Sequence, residues 1–243
     1  MIVFILAAGL GTRLRPLTDN RPKALVEYGG KPLLQHLLER LQTFGCRDFV
    51  LNLHHFPQML RAFATDYALQ HNINIRFSDE TEKLLDTGGA LTHALPLFDK
   101  EQTVLVHNVD VMTDLDILRL ERQMLESDAD ALLSVRRRES SRYLYADEQG
   151  RLRAWKNVRS GQTKGDAIQE SFIPLAFSGI HLLKTELVAE WAKKYGTENP
   201  FSVIDAYMES IYDKKILLAE QQGGYWKDMG KISDFYEPMP VQN

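Results

Sequence analysis

Ile2-Val3-Phe4-Ile5-Leu6 runs straight into Ala7-Ala8-Gly9-Leu10-Gly11-Thr12-Arg13, and this junction restricts the fold of the chain more than any other stretch. Five apolar residues, mostly β-branched or aromatic and bounded by small residues and glycine, are too short for a helix and read as a strand buried on both faces. The loop that follows has side chains small enough, and glycines free enough, to let a polyanion approach backbone N–H groups closely. Arg13, Arg15 and Lys23 then supply cations, the arginines as planar forks and the lysine as a point charge. The implied chemistry is phosphate binding. Leu14 stands where a dinucleotide fingerprint needs its third glycine, and no Gly-Lys-Ser/Thr follows to make a P-loop.

Composition narrows the setting. The 243 residues, 44% hydrophobic and 26% charged, suffice for a full core. A formal charge of −4 argues against a nucleic-acid partner held by bulk electrostatics. Cys46 is the only cysteine, so neither an intrachain disulfide nor a multi-cysteine metal site is available, and a reducing, cytoplasmic compartment is expected. No apolar run approaches the roughly 20 residues of a membrane span, and the opening lacks the features of a signal peptide, so no membrane partner is expected.

Along the chain, helix and strand patterns alternate. Gly29-Gly30-Lys31-Pro32 turns into a helix carrying Leu34, Leu37, Leu38 and Leu41, with Gly45 at its end. A strand at 49–53, a helix over 57–70 and a strand at 73–77 continue the alternation that builds a parallel α/β sheet. His54 and His55 follow the second strand. Neighbouring strand positions face opposite ways, so the pair reads as polar loop residues rather than a chelate. Leu84-Leu85-Asp86-Thr87-Gly88-Gly89 opens the next helix, either as an ordinary start capped by Thr87 or as a surface on which a flat base can lie.

The strand at 103–107 delivers Asn108-Val109-Asp110 to its carboxyl end, where open α/β sheets bind ligands, so Asp110 is a candidate ligand for Mg²⁺. Asp114-Leu115-Asp116 reads as a helix start, Asp114 capping and Asp116 favouring the positive end, with the Asp-x-Asp metal motif of glycosyltransferases as the alternative. A strand at 131–135 precedes Arg136-Arg137-Arg138, read as a solvated run from which one arginine can reach a phosphate. Asp147-Glu148-Gln149-Gly150 joins a β-hairpin, 160–169 reads as a loop near the substrate, and a proline-interrupted strand spans 172–181. Helices at 186–194 and 202–212 and a strand at 215–220 complete the pattern.

Leu6-Ala7-Ala8-Gly9-Leu10-Gly11-Thr12-Arg13-Leu14-Arg15-Pro16-Leu17-Thr18, followed by Arg21-Pro22-Lys23-Ala24-Leu25-Val26, resembles the signature of the sugar-1-phosphate nucleotidyltransferases. The resemblance implies a reaction of a nucleoside triphosphate with a sugar 1-phosphate, giving a nucleotide sugar and pyrophosphate. It implies an α/β fold: a Rossmann-like three-layer αβα domain over 1–243, with a mixed, mostly parallel sheet and a small β-rich insertion over 136–175 at the acceptor site. By the same resemblance Ala7, Ala8, Gly9, Gly11, Thr12, Arg13, Lys23 and Gly88 would bind nucleotide, and Arg13 and Lys23 would be catalytic. Asn108, Glu170 and Ser178 would meet the sugar, and Asp228, in Trp226-Lys227-Asp228-Met229-Gly230, would join Asp110 on Mg²⁺. Val109 and Lys231 depart from the family's usual glycine and threonine, and the Glu-Lys-Pro triplet near Glu170 is missing. Ala7-Ala8-Gly9, Leu84 to Gly89 and Phe177-Ser178-Gly179-Ile180 look most like the N-acetylmuramate 1-phosphate uridylyltransferases of cell-wall recycling. Guanylyl-, thymidylyl- and cytidylyltransferases share most of these residues. A nucleotide-sugar sensor without chemistry would be expected to lack Lys23, Asp110 or Asp228.

Overall fold

The computed structural model describes residues 1–98 and 103–237. The opening run is strand β1 (Ile2–Leu6), and its side chains alternate between two cores: Ile2 and Phe4 on one face, Val3 and Ile5 on the other, all within 1% exposure. A short ribbon, β2 (Glu27–Tyr28) and β3 (Lys31–Pro32), precedes helix α1 (Leu33–Thr43), whose four periodic leucines are buried as their spacing requires. Gly45, at φ 81°, turns the chain out of α1. Then come β4 (Asp48–Leu53), α2 (Pro57–His71), β5 (Asn74–Asp79), α3 (Asp86–Ala94), β6 (Thr103–Asn108), β7 (Val111–Thr113) and α4 (Ile117–Ser127). The second half contains β8 (Ala131–Arg136), β9 (Arg142–Ala146), β10 (Leu152–Asn157), β11 (Thr163–Gly165), β12 (Ile173–Lys184), α5 (Thr185–Tyr195), α6 (Val203–Ser210), β13 (Ile216–Glu220) and β14 (Trp226–Asp228).

Among the described residues ten strands form one sheet, in which β5-β4-β1-β6 pair in parallel and β8 pairs in parallel with β13. β12 runs against both β6 and β8, so β6 and β8 point the same way. The carboxyl ends of β1, β4, β6, β8 and β13 therefore share one edge, the edge at which such sheets bind ligands. Side chains of α3, α5 and α6 pack one face and those of α1, α2 and α4 the other, the mixed three-layer arrangement expected from the sequence.

Three local expectations differ from the structure. The 160–169 segment is not loop throughout, because β11 adds to β10 at the edge and Lys164 pairs with Asp205 of α6. In α4 the cap is Asp116, which accepts from the Arg119 amide at 3.0 Å, whereas Asp114 accepts from the Tyr225 amide at 2.7 Å and so fastens a distant loop. Thr87 does not cap α3: its hydroxyl accepts from the Val203 amide at 3.0 Å, at the start of α6. No described helix is long and apolar enough to cross a membrane.

Candidate active site

Beyond β1 the chain turns at Gly11, which sits at φ 61° while its carbonyl accepts from the Leu14 amide and the Thr18 hydroxyl. A Cβ at Gly11 would stand 2.8 Å from Thr18 Cγ2 and 3.2 Å from Lys23 Cβ, so conformation and space both demand glycine. Gly9 has no atom within 4 Å of where its Cβ would be, which leaves the loop open to the cavity it lines. That cavity, of about 420 Å³, is walled by Leu6 to Leu14 and Lys23, by Leu84, Asp86 and Thr87 across from them, and by Asn108, Val109, Asp110 and Gly230 at the end of β6.

Asn52, a residue that sequence reasoning passed over, fixes the loop. Its Oδ1 accepts from the amides of Ala7 at 2.6 Å and Ala8 at 3.1 Å, and its Nδ2 donates to Glu80 Oε1 at 2.9 Å. Glu80 Oε2 in turn accepts from the Leu85 amide at 3.1 Å. Both side chains are 3% exposed, and burial raises the Glu80 carboxyl above its ordinary range. Ala7 and Ala8 thus line the cavity with their amides already engaged. The amides of Gly9 to Thr12 meet no acceptor among the described residues and are the ones open to a phosphate. The available signal was a lone polar residue in the buried run Phe-Val-Leu-Asn-Leu, since a buried amide needs partners.

Lys23, buried in a 3₁₀ turn, donates its ammonium to Asp110 Oδ2. Val109, at the position where the resemblance implies glycine, is buried with Val111 and Leu115 in the core beside α1 and α4. Asp228 reaches the same place through β14, which pairs with β7 so that Asp228 lies opposite Val111, and the Met229 amide donates to the Asp110 carbonyl at 2.8 Å. Arg13 arrives from the loop: a Cβ on Gly230 would be 2.9 Å from Asp228 Oδ1 and 3.1 Å from Arg13 Nη2. Desolvation and then the Asp110 charge push the Asp228 carboxyl up, while Lys23 and Arg13 oppose that rise. Two carboxylates near enough for one charge to raise the other, and offering only hard oxygen donors, fit Mg²⁺, which would relieve their mutual repulsion.

The sugar-side assignments separate. Asn108 lines the cavity, with its Nδ2 beside Gly179, where a Cβ would come within 2.8 Å. Ser178 is buried, its carbonyl accepts from Trp226 Nε1 at 2.9 Å, and its hydroxyl has no partner. Glu170 is exposed in the turn before β12 and lines neither of the two cavities described. Gly88 also lies off the cavity wall. A Cβ there would stand 2.4 Å from the Phe201 ring, and one on Gly89 2.4 Å from the Asn199 carbonyl oxygen. The glycine pair admits the 199–201 segment, and this packing accounts for its smallness.

A family model described as nucleotidyl transferase matches residues 2–241. The chain is 31% identical over 235 residues to an N-acetylmuramate alpha-1-phosphate uridylyltransferase of Caulobacter vibrioides, covering 94% of this chain and 91% of that one. It is also 31% identical over 239 residues to a mannose-1-phosphate guanyltransferase of Yarrowia lipolytica, covering 95% of this chain and 61% of the relative. An inositol-1-phosphate CTP transferase from T. maritima shares the fold, with a TM-score of 0.75 over 96% of this chain and 90% of that one at 14% identity. With the glycine loop, Lys23 and Asp110 converging on one cavity and the family model spanning nearly every residue, the chain belongs to the nucleotidyl transferase family.

Proposed function

We propose that this enzyme transfers a uridylyl group from UTP to N-acetylmuramate 1-phosphate, releasing pyrophosphate. The observation that carries the transfer chemistry is the meeting of Lys23, Asp110, Asp228 and Arg13 at one end of a cavity floored by the Gly9–Thr12 amides. The choice of base rests on Ala7-Ala8-Gly9, whose residues line the cavity and whose sequence leans toward a pyrimidine nucleotide, and on the likeness to the uridylyltransferase along 94% of this chain. A guanylyl transfer to mannose 1-phosphate is the second reading, because the Yarrowia relative is equally identical.

In this mechanism the triphosphate lies along the loop, its oxygens accepting from the Gly9–Thr12 amides and from Arg13. An oxygen of the sugar phosphate attacks the α-phosphorus in line; the new P–O bond forms as the bond to the β-phosphate oxygen breaks and pyrophosphate departs. Lys23 stabilises the charge that grows on the α-phosphate, and Asp110 and Asp228 would hold Mg²⁺. The metal, when bound, supplies charge neutralisation and a template for the phosphate oxygens. The attacking phosphate is already ionised, so no general base is needed.

The test crosses UTP, dTTP, CTP and GTP with N-acetylmuramate, glucose and mannose 1-phosphates, with Mg²⁺, and follows pyrophosphate. Release with UTP and N-acetylmuramate 1-phosphate is expected. Release confined to GTP and mannose 1-phosphate would replace the proposal with the second reading.

A further inference from the structure

We propose that Arg138 is the cation that receives the phosphate of the acceptor, and that Trp226 holds the guanidinium in place for this contact. The inference rests on the nucleotidyl-transfer reading above and assigns a residue that neither the opening motif nor the triphosphate cavity includes. The ends of β8 and β13 lie on the same sheet edge as those of β1 and β6, so Arg136-Arg137-Arg138 and the loop from Gly223 to Trp226 meet there, around a second cavity of about 540 Å³. Trp226 stands two residues before Asp228 on β14, so both side chains leave the same face of that strand. The second cavity therefore lies near Asp228 and shares no lining residue with the triphosphate cavity.

The three arginines differ in how they are spent. Arg137 is forked onto the Glu220 carboxylate at 2.6 and 3.2 Å, and Arg136 donates to the carbonyls of Gly223 and Gly224. Arg138 lies 4.2 Å from the centre of the Trp226 ring, half-buried, with no carboxylate in ion-pair contact among the described residues. It donates to the carbonyls of Phe177 at 3.0 Å and Glu139 at 3.2 Å, and its Nε is enclosed without a partner. Of five N–H donors this leaves three, the enclosed one on Nε and one on each terminal nitrogen, and the last two are free to meet phosphate oxygens. Burial lowers the pKa of Arg138, and the charge of Asp228 is the largest influence opposing it. A half-buried guanidinium without a counter-ion calls for an anion.

The charge pattern also requires such a group. Lys23 is on Asp110 and Arg13 is beside Asp228 from the loop side, so both of these cations serve the triphosphate. A sugar 1-phosphate arriving through the second cavity meets two carboxylates, and Arg138, stacked on Trp226, is placed to offset them.

Michaelis constants for UTP and N-acetylmuramate 1-phosphate, measured for wild type, Arg138→Gln and Arg138→Lys, test the assignment. We expect the constant for the sugar phosphate to rise about tenfold or more in Arg138→Gln, that for UTP to stay within about twofold, and Arg138→Lys to recover part of the loss. An equal rise for UTP, or an altered Mg²⁺ requirement with the sugar-phosphate constant unchanged, would overturn the proposal by placing Arg138 on Asp228 alone. If wild type does not turn over this pair, the substrate reading fails separately. Calorimetric titration with N-acetylmuramate, glucose and mannose 1-phosphates then decides the role of Arg138: binding to wild type that weakens in Arg138→Gln supports it, and equal binding or none refutes it. Thermal unfolding of both variants checks that they fold.

Discussion

Replacing Asn52 by alanine should damage both stability and nucleotide binding, and the magnitude follows from three hydrogen bonds. The change strips the acceptor from the Ala7 and Ala8 amides, held at 2.6 and 3.1 Å, and the donor from Glu80 Oε1, held at 2.9 Å. Each buried polar group left unpaired costs roughly 1–3 kcal/mol. Asn52 itself lines the cavity, so water can enter and satisfy part of the deficit. A net loss of about 2–4 kcal/mol is expected, or about 5–15 °C in the melting midpoint for a chain of this size. Because the same amides set the path of the Gly9–Thr12 loop, affinity for the nucleoside triphosphate should fall about tenfold by calorimetry. Asn52→Asp keeps both amide acceptors but sets a second carboxylate against Glu80. Glu80 already titrates above its ordinary range in the folded state, so its contribution to stability is present at low pH and lost as pH rises through the folded value. The deficit of Asn52→Asp relative to wild type should therefore shrink as pH falls from about 7 to 5. An alanine variant that melts within about 2 °C of wild type and binds the triphosphate normally would refute this account of the loop.

Other substitutions address the remaining parts of the site. Lys23→Ala should lower turnover by roughly 10²-fold or more while the chain still folds, and near-normal turnover in a pyrophosphate-release assay would refute a transition-state role. Gly89→Ala must push a Cβ away from a carbonyl oxygen 2.4 Å distant and should lose about 1–3 kcal/mol in chemical denaturation, whereas Gly9→Ala, with open space around it, should weaken triphosphate binding and leave stability unchanged. His107 and His181 are fully enclosed, and burial depresses them from 6.5 to about 4 and about 3. A depressed histidine stabilises the fold at neutral pH and loses that contribution as pH drops below the unfolded value of 6.5, so denaturation between about pH 6.5 and 4 should show about 3 kcal/mol of loss per histidine. A flat profile there, or imidazole NMR resonances titrating above about pH 6, would show that the rings are not buried as described.

What could be read in the sequence was whatever is encoded locally. β1 declared itself by a continuous apolar run, α1 by leucines at helical spacing, and the Gly11 turn by residues that only a special backbone conformation requires. Asp110 was legible because a strand end fixes where its side chain goes. Features set by residues far apart in the chain were not. Nothing near Gly88 and Gly89 announces that Asn199 and Phe201 will press on them, so the packing that demands glycine there was not legible. Asp114 passed for a helix cap because its partner, the Tyr225 amide, lies 111 residues away. Arg136 to Arg138 read as a solvated run for the same reason: Glu220, Gly223 and Trp226, which engage them, come only at the end of β13 and beyond it.

These long-range contacts also explain how the fold performs a transfer between two polyanions. β6 carries Asp110 directly, but Asp228 hangs from a three-residue ribbon that needs outside support. That support comes from the Asp114 carboxylate on the Tyr225 amide, Arg136 on the Gly223 and Gly224 carbonyls, and the Arg138 stack on Trp226. Two of these three fastenings are arginines from the end of β8, and neither is neutralised by a carboxylate in ion-pair contact among the described residues. The strand that brings the second acid is thus secured by groups that also leave positive charge at the second cavity, while Arg13 and Lys23 supply it at the first. The carboxylates then lie between two cationic flanks. In the proposed reaction each flank attracts one of the phosphate-bearing substrates, and their anionic ends meet where Asp110 and Asp228 would hold the metal. Losing either flank should leave the other substrate's binding largely intact, so separate effects on the two substrates are the kinetic consequence of this arrangement.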